Sequence, residues 1–200
     1  MKLELWYPVK KPGIASQGFG PSKTAPDLLP MYKKLGLLAH NGIDYPLPRG
    51  TPIRAAHNGL VVYAGMDSNG GWGVVIRTQE PFDYNNDLVF AKSIYWHLLP
   101  NIPVKVGAQV KAGDIIGYAD TTGLATGSHL HFGLKPQLKG ENDWTWYNVE
   151  QNNGYNGSID PAPYWNGYYA EDAQTIISIM GQQISILQKL VSLMKLALGK

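Results

Sequence analysis

Apolar and polar positions alternate most clearly between Thr51 and Thr78, where TPIRAAHNGLVVYAG is followed by the turn segment DSNGGWG and a second run, WGVVIRT. A period of two belongs to a half-buried strand, and Asn and Gly let the chain double back. Gly59 to Thr78 is therefore predicted as a β-hairpin. Pro, Asn and Asp in QEPFDYNNDLVFAK predict a loop or bulged excursion over Gln79 to Lys92 before the strand SIYWHLL. In VKVGAQVKAGDIIGYAD, Gly107, Gly113 and Gly117 are spaced as turns between very short strands. TGLATGSHLHFGLKP then gives a Gly-rich loop leading into a strand from His129 to Leu134.

The flanks are less periodic. Met1 to Ala39 reads as an extended lead-in with Gly- and Pro-marked turns and one short helix around Leu28 to Leu35. Lys135 to Ile159 carries Trp, Tyr, Asn and Gly without a period and is read as a long loop, and the globular part closes at DPAPYW, near Trp165. From Ala170 the character changes. Glu171 and Asp172 suit the start of a helix, Lys195 its last turn and Gly199 its end. The expected division is a domain over residues 1–169, with its lead-in over 1–39, and one long amphipathic helix over 170–200.

Composition supports a mainly β fold. Gly (23) and Pro (14) are plentiful and charged residues few, at 16%, which favours short strands joined by turns over a helical bundle. A formal charge of +2 without a long basic run lacks the electrostatic footprint of a nucleic-acid binder. The sequence contains no cysteine, so a metal site must use nitrogen and oxygen ligands. The start, MKLELWYPVKKPG, has no apolar run long enough for a signal-peptide core, and no stretch of about 18 apolar residues spans a bilayer.

Four of the five histidines fall in three short segments: HNGID with His40 and Asp44, YWHL with His97, and SHLHF with His129 and His131. In a strand, His129 and His131 share one face while Leu130 and Phe132 take the other. Catalytic zinc uses three protein ligands and keeps a fourth position for water. His40, Asp44 and His131 can supply that set. His97 and His129 then lie nearby, free to take a proton or steady a developing oxyanion. His57, in AAHNG, stands outside every motif and is read as a surface or turn histidine.

These segments resemble the lysostaphin-type zinc endopeptidases, which cut peptide cross-links of bacterial cell walls. The resemblance runs from about Gln17 to Trp165 and is carried by QGFG, HNGIDYPLPRGTPIRAA, NGLVVYAG, YWHLLP, VKVGAQVKAGDIIG, TGLATGSHLHFGL and DPAPYW. It implies a compact antiparallel β-sheet with long loops walling a groove. It also implies one zinc ion per chain on His40, Asp44 and His131, with His97 and His129 as the catalytic pair. The implied partner is a peptide of bacterial peptidoglycan. Two segments depart from the family pattern, Gln79 to Lys92 and Asp143 to Tyr155, and both would border the groove, so substrate preference does not carry over. Within the second, Trp144, Trp146, Tyr147 and Tyr155 have two readings of equal weight, as a recognition surface or as pins for the loop.

In the tail, Met180, Ile184, Leu187, Val191, Met194 and Leu198 follow a 4-3-4-3-4 spacing, and Ile179, Ile186, Leu190 and Leu193 broaden the seam. The favoured expectation is self-association through residues 176–198, with membrane-surface contact or packing on the domain as alternatives. The expected function is zinc-dependent hydrolysis of peptidoglycan peptides, by a protein released by lysis or carried on a virion. The rival is a non-catalytic wall-binding or virion protein that oligomerises through its C-terminal helix.

Overall fold

The computed structural model describes residues 1–9, 14–21, 26–142, 145–168, 184–192 and 194. The chain divides into two units, Met1–Tyr169 and Ala170–Lys200. In the first, the strands are β1 (Leu5–Tyr7), β2 (Ile43–Pro46), β3 (Pro52–Arg54), β4 (Gly59–Asp67), β5 (Gly71–Arg77) and β6 (Phe82–Tyr84). They continue as β7 (Asp87–Leu98), β8 (Gln109–Val110), β9 (Ile115–Tyr118), β10 (His129–Lys139), β11 (Trp146–Asn148) and β12 (Trp165–Tyr168). The main sheet runs β11-β10-β7-β5-β4-β8, with β2 also paired to β10 and β6 to β7. Its neighbouring strands are antiparallel, and the unit is mainly β.

The predicted hairpin is β4 with β5, and the Asp67 carboxylate fixes its turn by accepting the Asn69 and Gly70 N–H groups, both at 2.8 Å. The short predicted helix is α1 (Leu29–Lys34), which buries Tyr32 and carries Lys33 and Lys34 in its last turn, where the helix dipole favours cations. One face of the sheet holds the core: Val74, Ile76, Tyr95, Leu130, Phe132 and Leu134 are fully buried. Burying a side chain of this size stabilises by about 1.5–3 kcal/mol. Phe132 packs edge-on against Tyr95 at 5.2 Å and lies tilted against Trp165 at 5.0 Å, and Trp165 stacks on Tyr7 at 4.6 Å. The parallel pair β1 and β12 thus joins the two ends of the unit over this core.

Three expectations are corrected. The segment Gln79 to Lys92 contains a tight hairpin, β6 with β7, because Asn85 and Asn86 turn the chain at φ 52° and 71°. Asn tolerates that left-handed conformation and so does the work usually left to Gly. Lys135 to Ile159 is not a long loop throughout. β10 continues to Lys139 and pairs with β11, and Val149 N–H donates to the Pro136 carbonyl at 2.9 Å. His57 is buried rather than on the surface, with Ser93 Oγ 2.8 Å from Nε2 and the Asn58 carbonyl 2.9 Å from Nδ1.

In the second unit, residues 184–192 and 194 are helical. The rest of the expected 170–200 helix lies outside the described residues, as does Trp144. Among the described residues no helix is long and apolar enough to cross a membrane, which says nothing of a β-barrel.

Candidate metal centre and histidine pair

The edge where β2 meets β10 assembles the site. Antiparallel register sets Asp44 opposite His131, and an isolated bridge between Gly20 and His40 anchors the segment just before β2. Leu130 and Phe132 are fully buried in the core, so the period of two turns His129 and His131 to the other face. Gly42 is required between the two segments. A Cβ there would lie 2.5 Å from the Phe132 carbonyl oxygen and 2.6 Å and 2.7 Å from Cε1 and Nε2 of His131. The glycine of HNGID thus leaves room for the His131 ring to approach the loop that carries His40.

His40 Nδ1 sits 2.8 Å from the Gly18 carbonyl. A carbonyl can only accept, so Nδ1 carries the proton and Nε2 presents its lone pair inward. That Nε2 is 3.0 Å from His131 Nδ1 and 3.1 Å from Asp44 Oδ1, and His131 Nδ1 is 3.0 Å from the same oxygen. Two imidazole nitrogens and a carboxylate oxygen therefore form a near-equilateral triangle, with at most one proton from a neutral His131 to share among three acceptors. Tetrahedral zinc with bonds of about 2.0–2.2 Å spaces neighbouring ligand atoms about 3.3–3.6 Å apart. The donor set and its spacing fit such an ion with little adjustment.

The electrostatics agree with that fit. Burial opposes the Asp44 charge, but the hydrogen bond from His131, and the positive charge of His131 and His40 when protonated, outweigh it and hold the carboxyl far below the usual range. Burial pushes the His131 imidazole down, partly countered by Asp44. Behind the site, Asp44 N–H donates to the Gln17 carbonyl at 2.8 Å, and the buried Tyr32 hydroxyl donates to Gln17 Oε1 at 2.8 Å. Burial and the Asp44 charge push that hydroxyl up to about 12, so it remains a donor.

His97 and His129 stand beside the triangle, their ring centroids 4.4 Å apart and His129 Nε2 3.8 Å from Asp44 Oδ2. His97 Nδ1 donates to the Thr122 carbonyl at 2.6 Å, and His129 Nδ1 to the Gly127 carbonyl at 2.8 Å. Both rings are thereby fixed in the tautomer that leaves Nε2 unprotonated. Burial holds the His97 imidazole down at about 4, with the Thr122 bond opposing, so it is neutral at physiological pH. Its backbone has φ 65°, a left-handed conformation that strains a non-glycine residue and is held by His97 N–H donating to the Gly70 carbonyl and Asp120 N–H donating to the His97 carbonyl.

All five residues singled out in the sequence thus come together, and His57 stays apart in the core. The sequence reading missed the groups that aim them: the carbonyls of Gly18, Thr122 and Gly127, and the Thr122 hydroxyl, which donates to the Leu98 carbonyl at 2.8 Å and accepts Trp72 N–H at 3.1 Å. Carbonyls carry no side-chain signature. Only the glycines of QGFG and TTGLATGSH, at or beside them, mark the places.

Residues 38–143 match Peptidase family M23. The chain is 41% identical over 93 residues to the glycyl-glycine endopeptidase ALE-1 of Staphylococcus capitis, covering 46% of this chain and 24% of that protein. It is 34% identical over 128 residues to the peptidoglycan DD-endopeptidase ShyA of Vibrio cholerae, covering 64% of this chain and 26% of that one. The chain thus spans about a quarter of the length of these relatives. In structure it is similar to the catalytic domain of the antimicrobial peptidase lysostaphin from Staphylococcus simulans, with TM-score 0.52 and 29% identity over 75% of this chain and 90% of that one. The sheet, the histidine and aspartate triangle on its edge and a match over more than half of the sequence converge, and the chain belongs to peptidase family M23.

Proposed function

We propose that this protein is a zinc-dependent endopeptidase that hydrolyses peptide cross-links or stem peptides of bacterial peptidoglycan, with His40, Asp44 and His131 as ligands and His97 and His129 as the catalytic pair. The observation that carries this reading is the triangle of His40 Nε2, His131 Nδ1 and Asp44 Oδ1, bordered by two imidazoles whose Nδ1 atoms are held by backbone carbonyls. Zinc held by the triangle supplies Lewis-acid polarisation of a carbonyl and acidifies water toward neutrality. His129 Nε2, the nearer of the pair, accepts the proton of the attacking water and returns it to the leaving amine. His97, held neutral, hydrogen-bonds across the site and steadies the arrangement of charge as the carbonyl becomes tetrahedral. Asp44 offsets the ion's charge and orients His131.

Such an activity is exercised in the wall. The family relationship and the intact set of five residues favour this reading over a non-catalytic wall-binding role, since a binding protein has no need of the ligands or of the fixed tautomers. The test is release of soluble fragments from purified cell walls. Activity is expected to disappear with a zinc chelator and return with zinc. His97→Ala and His129→Ala are expected to abolish turnover while retaining the metal, and His131→Ala to lose the metal. Undiminished cleavage by thoroughly demetallated protein would remove the mechanism.

A further inference from the structure

Three cations lie side by side across the sheet, away from the metal centre. Register places Arg77 on β5 opposite Lys92 on β7, and Lys92 opposite Lys135 on β10. Registered neighbours share a face of the sheet, and like charges directly opposite are destabilising. Among the described residues none of the three has an ion pair. Lys135 is 6% exposed, whereas Arg77 and Lys92 are half-buried. A lysine is almost never this buried without a partner. Burial and then the neighbouring Lys92 push the Lys135 ammonium down to about 8, and burial and then Arg77 push Lys92 down as well.

A second feature of the same patch also lacks a partner. Trp146, opposite Lys139 on the edge strand β11, lies with its ring centroid 3.4 Å from Arg77 Cζ and meets Phe90 edge-on at 5.2 Å. Its indole Nε1 is buried without a hydrogen-bond acceptor, and so is Gln137 Oε1 without a donor, two positions beyond Lys135. Gln137 is 4% exposed. Two ammonium groups, a guanidinium and an indole N–H are all donors, and an unpaired amide oxygen stands beside them. The complementary ligand is an acceptor-rich anion that also carries an N–H, which describes a carboxylate on a peptide.

The patch shares a sheet face with the metal centre. His131 and Lys135 are four residues apart on β10, about 13 Å at 3.3 Å per residue. An extended peptide of about four residues spans that distance.

We infer that Arg77, Lys92, Lys135 and Trp146 form a subsite for a carboxylate of the peptide substrate, some 13 Å from the scissile bond, with Gln137 accepting one of its amide N–H groups. This rests on the endopeptidase reading and narrows its substrate to acidic wall peptides over neutral bridges such as oligoglycine. Trp146 closes the patch and stacks Arg77 in place, which gives the aromatic segment after β10 a role in recognition.

The test compares a wall-derived stem peptide bearing free carboxylates with the same peptide converted to carboxamides, by calorimetry and by turnover, on the zinc-loaded full chain. The native protein is expected to bind the acidic peptide at least about tenfold more tightly, the scale of a charge-assisted hydrogen bond to a partly buried cation. Lys92→Gln is expected to erase that preference by raising KM for the acidic peptide toward that for the carboxamide. Lys135→Met, which keeps the buried volume, is expected to erase it too and to raise the melting temperature by removing an unpaired charge. Equal affinity of the native protein for the two peptides would overturn the subsite, as would a preference that survives both substitutions, or binding of a phosphate polymer alone. A carboxylate preference in binding without any cleavage would support the subsite and count against the endopeptidase reading, so the two can fail separately.

Discussion

Gly42→Ala is the most informative single change, because it adds one methyl group to a residue that ligates nothing. The new Cβ would meet His131 Cε1 at 2.6 Å, His131 Nε2 at 2.7 Å and the Phe132 carbonyl oxygen at 2.5 Å. Ordinary carbon contacts begin near 3.5 Å, so ring and loop must separate by roughly 1 Å. The carbonyl belongs to the β10 ladder and cannot yield alone, which leaves the His131 ring or the loop bearing His40 to move. A zinc site tolerates about 0.2 Å in its ligand distances, so a shift of that size breaks the triangle. Metal affinity should fall at least about tenfold, the scale of losing a group that orients a ligand. Overpacking should cost about 1–3 kcal/mol of stability. Competition with a chromophoric chelator reads the first effect and denaturant unfolding of the metal-free protein the second. A Gly42→Ala protein with native zinc affinity and native turnover would show that the close approach of Gly42 and His131 does not shape the metal site.

Two further outcomes are expected. Burial lowers the His57 imidazole to about 4 from its ordinary 6.5, so between those values the unfolded chain binds the proton more readily than the folded one. This residue's contribution is therefore fully present above about pH 6.5 and is lost, by roughly 3 kcal/mol, as the pH falls toward 4. Unfolding of metal-free native and His57→Gln proteins across that range should show a shallower slope for the variant, and parallel curves would contradict the assignment. We also propose that the tail associates through residues 176–198, where the exposed Ile184, Leu187, Val191 and Met194 fall on the heptad seam. Light scattering should give an oligomer for the full chain and a monomer for a form ending at Tyr169, and two monomers would end that proposal.

Much of the site was legible because its chemistry is carried by side chains in regular spacing. Leu130 and Phe132 announce a core face, and the same alternation sends His129 and His131 the other way. The misread segments share a cause in polar or proline residues placed where a strand continues. Pro136 has no N–H and argues against a strand, yet β10 passes through it because its carbonyl still accepts from Val149. Lys135 and Gln137 look solvent-facing but are buried. At Asn85 and Asn86 the positive φ falls on asparagines, so a tight hairpin resembled a loop. The local sequence around His57 suits a surface or turn residue and does not show its burial, because Ser93, 36 positions away, supplies the bond that compensates for it, and a contact that distant leaves no local trace.

The central claim is that His40, Asp44 and His131 hold one zinc ion. The direct measurement is zinc content and affinity of the purified full chain beside His40→Ala, Asp44→Ala, His131→Ala and His129→Ala, by elemental analysis after dialysis against a weak chelator. One zinc per chain is expected for the native protein and for His129→Ala, with loss of bound metal in the other three. Native protein without stoichiometric zinc, or His131→Ala that retains it at native affinity, would show that these three residues do not form the zinc site.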